Sequence, residues 1–163
     1  MKIARSRGWQ NLIFIHLSPG SIPEIQAYIL QYAPDVVVID QLSNVTLTRG
    51  GKGKEPEKTQ LLEKLAYAMR MFYSQHKIAG VSLSQADEKA IGKLYLTIKD
   101  VYYSNVGVQG QYDVMLGIGM DDAYQRMNRR VVNITKNKLG GDHSKVIVTI
   151  VPEVSMLRGV GDD

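Results

Sequence analysis

The sequence predicts an α/β domain, a mostly parallel sheet with helices against it and a C-terminal antiparallel hairpin. Three observations predict it. The run Val36-Val37-Val38-Ile39 is apolar without alternation, the pattern of a strand covered on both faces in a parallel sheet. Strand-like and helix-like stretches alternate from residue 11 to residue 85. Two β-branched runs, 131–136 and 145–151, flank Leu139-Gly140-Gly141-Asp142-His143 and read as a hairpin.

Residues 11–17 (NLIFIHL) form a short apolar run before Ser18-Pro19-Gly20, so a buried strand and a turn are expected. Ser21-Ile22-Pro23-Glu24 has the spacing of a capping box, with Pro23 tolerated in the first helical turn. Ile25, Tyr28, Ile29 and Tyr32 then recur at helical spacing, and Pro34 stops the helix before the strand at 35–40. Residues 46–56 are too rich in glycine and charge to pack and predict a mobile loop. Pro56 or Glu57 opens a long helix with Leu62, Leu65, Ala66, Met69 and Phe72 or Tyr73 along one side. It ends near His76-Lys77, and 78–84 follows as the third strand. Residues 86–94 suggest a short helix, 100–110 a polar, tyrosine-bearing loop or broken helix, and 112–118 a fourth strand. No internal repeat or composition shift divides the chain, so residues 1–163 are read as one domain.

Composition narrows the function classes. With 44% hydrophobic and 22% charged residues the chain suits a globular domain with a core. The absence of cysteine excludes disulfides and thiolate metal sites and favours an intracellular setting. His16, His76 and His143 are too scattered for a zinc site. Residues 1–10 contain no apolar stretch suited to a signal peptide or membrane span. A formal charge of +4 permits nucleic-acid binding without demonstrating it.

Candidate chemistry begins with Asp40, which ends the second strand. At the carboxyl end of a parallel strand it faces the crevice where open α/β sheets bind ligands. Its carboxylate could hold a water in the Mg²⁺ shell of a nucleotide. The alternative is a turn cap, made through Ser43 or nearby amides. Gln85 closes the next strand-like run, Val81-Ser82-Leu83-Ser84-Gln85, where an amide can sense a γ-phosphate or its attacking water. Alternatively it is simply a polar residue leaving a strand. Together they are the pair that a nucleotide-hydrolysing domain places on neighbouring strands. Lys136 and Lys138 alternate on a strand, so both ammonium groups should point one way and reach a phosphate, in this subunit or a neighbour's. The alternative is a solvated hairpin end with lysines guarding an edge. Arg49, Lys52 and Lys54 on the glycine-rich loop suit phosphate-backbone contacts, or mere solubility. The string Gly50-Gly51-Lys52-Gly53-Lys54 is not a phosphate loop, because no Ser or Thr follows either lysine. No G-x-x-x-x-G-K-[ST] motif occurs before Asp40 either. Asp121-Asp122 reads as a solvated turn, since no third carboxylate lies nearby.

Taken together, residues 11–157 resemble the RecA-like core of ring-forming replicative helicases, the bacterial DnaB type and the phage primase-helicases. Ile39-Asp40-Gln41-Leu42-Ser43 looks like that family's Walker B strand, and Val81-Ser82-Leu83-Ser84-Gln85 resembles the strand its Leu-Ser-Gln motif closes. DVYYSNVGVQGQYD, from Asp100 to Asp113, is similar to a later motif in a stretch that, in the family, lines the DNA channel. Thr135-Lys136-Asn137-Lys138 resembles the Lys-x-Arg segment that reaches a neighbouring subunit's ATP site, with Lys138 where the family usually has arginine. Tyr102 and Tyr103 stand where it tends to have an arginine.

The resemblance implies a partial RecA-like three-layer fold and a parent ATP-dependent DNA helicase, phage-encoded or bacterial and cytoplasmic, forming a hexameric ring on single-stranded DNA. It implies ATP and Mg²⁺ as cofactors, with Asp40 on the metal, Gln85 sensing the γ-phosphate, and Lys136 and Lys138 contacting phosphate in trans. Loops 46–56 and 86–111 would grip DNA, through Arg49, Lys52, Lys54, Lys89 and Lys93. The family's phosphate loop and catalytic glutamate precede the strand matching 11–17, so a fragment or a degenerate relative is expected, inactive by itself. A RecA-type recombination or repair ATPase is the alternative within the fold. A non-catalytic α/β module binding protein or nucleic acid is the alternative outside it.

Overall fold

The computed structural model describes residues 11–17, 20–48, 57–102 and 106–160. From the N-terminus the elements are β1 (Gly20–Ser21), α1 (Ile22–Tyr32), β2 (Val36–Ile39), β3 (Val45–Thr46), α2 (Lys58–His76) and β4 (Ala79–Ser82). They continue with α3 (Val106–Gly110), β5 (Val114–Gly119), α4 (Asp122–Arg126), β6 (Arg129–Asn137), β7 (Lys145–Val151) and β8 (Met156–Gly159).

Local chemistry explains where the helices start and stop. Ser21 and Glu24 close the expected capping box: the Ser21 amide and hydroxyl both donate to the Glu24 carboxylate, at 3.1 and 2.7 Å. Ala33 takes a left-handed conformation and its N–H closes α1 onto Ile29, just before Pro34. On α2, Leu62, Leu65, Ala66, Met69 and Tyr73 are buried, the stripe the spacing predicts. They form one core with Ile22 and Ile29 of α1, Ile39 of β2, and Leu42, Val45 and Val108. Leu65 has no exposed surface, so truncating it to Ala should cost roughly 2–5 kcal/mol.

β2 and β4 pair in parallel with Val36 opposite Ala79 and Ile39 opposite Ser82. A second parallel pair joins β1 to β3. The remaining strands form an antiparallel sheet in the order β5-β6-β7-β8. The expected hairpin is thus the centre of a larger sheet, with β8 added after the 3₁₀ turn Pro152–Val154.

Three expectations need correction. Residues 11–17 pair with no strand among the described residues, and Leu12, Ile13, Phe14 and Ile15 are exposed. Apolar content alone does not make a strand where no described ladder edge receives it. Secondly, β2 is covered on one face only. Val37 and Ile39 face the core, whereas Val36 and Val38 are 56% and 60% exposed. Val81 beside Val38 is also exposed, so the helical layer lies on one side of this pair among the described residues. Thirdly, 86–94 holds a single 3₁₀ turn, Glu88–Ala90, rather than a helix; the Asp87 side chain accepts from the Lys89 N–H and caps it. The loop expected at 46–56 lies mostly outside the described residues.

The 93–97 segment is seated on the antiparallel sheet by two devices. The Asn133 side chain on β6 forms a two-way clamp with the Leu96 backbone, accepting its N–H at 3.2 Å and donating to its carbonyl at 2.8 Å. Gly119 on β5 makes room: a Cβ there would lie 2.4 Å from the Leu94 carbonyl oxygen.

Candidate nucleotide and phosphate site

Asp40 directly follows β2 and is exposed. The next residue, Gln41, opens the 3₁₀ turn Leu42–Asn44 through its backbone: its carbonyl accepts from the Asn44 N–H at 3.1 Å, with no side-chain cap. The carboxylate of Asp40 therefore does not spend itself as a turn cap. Among the described residues it accepts no hydrogen bond and joins no ion pair, which leaves its oxygens available to an outside ligand.

The parallel ladder runs one step past β4, with the Leu83 N–H donating to the Ile39 carbonyl at 3.0 Å. Asp40 thus lies beside the chain that leads from Leu83 to Gln85, at strand separations of about 4.8 Å. Gln85 sits three residues beyond the end of β4, in the connection that follows the strand rather than in the strand itself. Its carbonyl accepts from the Tyr102 N–H at 3.1 Å, and Ala86 bridges Val101. Backbone pairing fixes the residue while its exposed side-chain amide makes no hydrogen bond among the described residues.

The 86–102 segment is organised by Asp100, a carboxylate only 4% exposed. It accepts from Lys93 Nζ at 2.6 Å and from the Thr97 N–H and hydroxyl at 2.7 and 2.8 Å. Burial alone would raise its pKa, but the Lys93 ammonium and the two Thr97 donors outweigh it and hold the carboxyl below its usual range. The Asp100 carbonyl also receives the Asp87 N–H at 2.7 Å. Lys93, expected from the sequence as a free cation, is therefore tied to Asp100. Lys89 is exposed. Arg49, Lys52 and Lys54 lie outside the described residues.

Lys136 and Lys138 point the same way, as their spacing requires. Lys136 Nζ donates to the Gln109 carbonyl and Lys138 Nζ to the Gly110 carbonyl, the latter at 2.9 Å. A third cation, Arg70 of α2, donates to the Gln111 carbonyl and to Asp113 Oδ1, the latter at 2.9 Å. Sequence reasoning missed Arg70. Its partners lie 41 and 43 residues away, and a polar residue on an amphipathic helix reads as solvated surface. Burial, reinforced by the Lys138 charge, pushes the Lys136 ammonium below the usual lysine range; Asp113 opposes this and Arg70 adds to it. Burial raises the Tyr112 phenol pKa, with the nearby Ser82 hydroxyl opposing it. Among the described residues no hydrogen bond or ion pair joins the two lysines to Asp40 or Gln85.

Asp121 caps α4, accepting from the Tyr124 N–H at 2.8 Å, so the Asp121-Asp122 pair is a helix start rather than a metal pair. No group of three or more His, Cys, Asp or Glu residues arranged to hold a metal occurs among the described residues. A Mg²⁺ carried on nucleotide phosphates needs only one or two protein carboxylates, and the free carboxylate of Asp40 fits that demand. No helix among the described residues is long and apolar enough to cross a membrane.

No family model matches the chain, and no curated protein is significantly similar to it. Its fold, however, recurs in solved structures. A DnaB-like replicative helicase, solved with attention to its interactions with primase, superposes on 98% of this chain with a TM-score of 0.79 at 15% identity. A second solved structure, an ATPase domain, covers 86% with a TM-score of 0.71 at 16% identity. The chain spans 40% and 52% of the lengths of those two chains. At such identities the likeness establishes the fold alone: the chain, with its small parallel sheets and C-terminal antiparallel sheet, shares the α/β fold of these two structures.

Proposed function

We propose that this chain is the later part of the ATPase domain of a ring-forming replicative DNA helicase, one that couples hydrolysis of Mg-ATP at subunit interfaces to movement along single-stranded DNA. One observation carries the proposal. Asp40 and the chain leading to Gln85 leave adjacent parallel strands at the same end, and neither side chain is consumed by the fold. That is the arrangement a metal-holding carboxylate and a phosphate-sensing amide require.

In this reading Asp40 would hold a water of the metal's shell, and Mg²⁺ bound with ATP would supply neutralisation of phosphate charge. Gln85 hydrogen-bonds the γ-phosphate or its attacking water. Because Tyr102 and Val101 pair with Gln85 and Ala86, a shift at the amide moves the 86–102 segment directly. This segment, with Lys89 exposed on it, is the proposed DNA contact. Arg49, Lys52 and Lys54 are proposed to add phosphate contacts, and Lys136 and Lys138 to reach the ATP of the next subunit in a hexamer. Lys93 drops from the direct contacts, since Asp100 holds its ammonium. A recombination ATPase of the same fold remains the second reading; the helicase reading is preferred because one of the similar solved structures is a DnaB-like replicative helicase. The free Asp40 and Gln85 side chains argue against a module that has lost its nucleotide site.

The chain alone should hydrolyse no ATP, because no glycine-rich phosphate loop is present in it. Joined in one polypeptide to a segment supplying a glycine-rich phosphate loop, it should give DNA-stimulated hydrolysis. Asp40→Asn should then lower kcat by about 100-fold, the scale of losing a transition-state charge partner. Turnover by the isolated chain, or a joined enzyme indifferent to Asp40→Asn, would overturn the proposal.

A further inference from the structure

Three cations converge on three successive backbone carbonyls: Lys136 on Gln109, Lys138 on Gly110 and Arg70 on Gln111. They arrive from different places in the fold, Arg70 from the middle of α2 and the lysines from the end of β6. Capping explains part of this, since Gln109 and Gly110 end α3, the Gln109 carbonyl receiving only a long 3.4 Å bond from the Tyr112 N–H. It does not explain the charge. A five-residue helix end needs no third cation, and the ion pair shown among the described residues is the one Asp113 makes with Arg70. Arg70 and Asp113 remain 38% and 49% exposed, so the cluster is open to a solute.

We propose that Arg70 is a third phosphate-contacting cation of the Lys136–Lys138 site, and that Asp113 is its resident competitor, occupying the guanidinium until a phosphate displaces it. The proposal rests on the reading of the two lysines as phosphate contacts and extends it to a residue that reading did not include. A guanidinium presents paired donors in a planar fork that matches two oxygens of one phosphate, which the ammonium groups beside it cannot do. Three cations with a single ion pair among the described residues favour a multiply charged terminal phosphate, as on a polyphosphate chain, over the singly charged diester of a DNA backbone. The lowered Lys136 pKa agrees, because part of it records mutual repulsion that an incoming anion relieves. Displacing Asp113 leaves the backbone anchor intact, since the Lys138 N–H still donates to the Asp113 carbonyl at 2.8 Å.

The test is an NMR titration of the ¹⁵N-labelled 163-residue chain with inorganic tripolyphosphate at low salt, read at the amides of 109–113 and at Arg70 Nε. Arg70→Gln should weaken binding by about tenfold, and Arg70→Lys by roughly threefold, the difference reflecting the lost fork. Asp113→Asn should tighten binding by about threefold, while Asp35→Asn, the same charge change elsewhere on the chain, should leave it unchanged. A merely structural Arg70–Asp113 pair gives no such gain, so equal affinities for Asp113→Asn and Asp35→Asn overturn the inference, as does an unchanged Arg70→Gln. If Arg70→Gln does not fold, Arg70→Lys and Asp113→Asn decide. Should Lys138→Gln weaken binding while the Arg70 variants do not, the inference fails and the reading of the lysines survives. If the wild type itself fails to bind, both fall. Oligothymidylate competing at equal phosphate concentration would overturn the preference for a terminal phosphate.

Discussion

Asp100→Asn should loosen the segment that carries Gln85's backbone partners. The carboxylate accepts three hydrogen bonds: two from Thr97, at 2.7 and 2.8 Å, and one from Lys93, at 2.6 Å. A hydrogen bond to a charged group contributes about 1.5–3 kcal/mol net. The Lys93 contribution is smaller, because that side chain is 46% exposed and screened by water. The Thr97 contacts survive in part, because an amide oxygen can still accept one of them. Together these give an expected loss of about 2–3 kcal/mol at neutral pH. Urea denaturation measures it, and hydrogen exchange should show the faster opening concentrated in 86–102. The pH dependence supplies a second check. The folded pKa of Asp100 lies below the unfolded one, so its stabilisation is complete above the unfolded value of about 3.9 and fades as pH falls through the folded value. The gap between wild type and Asp100→Asn should therefore hold steady from pH 7 to pH 5 and close under more acidic conditions. A loss below about 0.5 kcal/mol, or a gap that persists where Asp100 is protonated, would refute the reasoning.

Two further substitutions probe the supports of the site. A Cβ at Gly80 would lie 2.2 Å from Tyr73 Cε2, so Gly80→Ala should destabilise by about 1–3 kcal/mol in urea denaturation; Tyr73→Leu should recover most of that loss in the double variant, and additive losses would count against the steric cause. Asn133→Ala removes both hydrogen bonds to the Leu96 backbone and should cost about 1–3 kcal/mol, with hydrogen exchange fastest at 93–97; protection there equal to the wild type would mean the clamp is idle.

Much of the fold was legible because its signals are local. The capping box lies within four residues, the α2 stripe within one helix, and the β6–β7 pairing around one glycine turn. Asp40 follows β2 as expected, whereas Gln85 lies three residues past β4 instead of closing it. What escaped depends on distant partners. Residues 11–17 have a strand's composition and no described partner strand. The β2 run looked buried on both sides because periodicity reports side-chain chemistry, not which face a helix covers. β8 is four residues with no alternation to announce it. At the candidate site, Lys93 looked free because nothing near it in sequence marks Asp100 as buried, and Arg70 went unseen because its partners lie beyond the next strand. Asn133, inside a β-branched run, gave no sign that it would clamp a loop 37 residues upstream.

The account turns on β2 and β4 running side by side so that Asp40 and the Gln85 segment share one end. Its most direct test is the scalar coupling across a hydrogen bond between the Leu83 amide nitrogen and the Ile39 carbonyl carbon, measured on the doubly labelled chain. The bond is 3.0 Å long in the structure, so a resolved coupling and slow exchange of the Leu83 amide are expected. No coupling, with Leu83 exchanging as fast as an unpaired amide, would contradict the account.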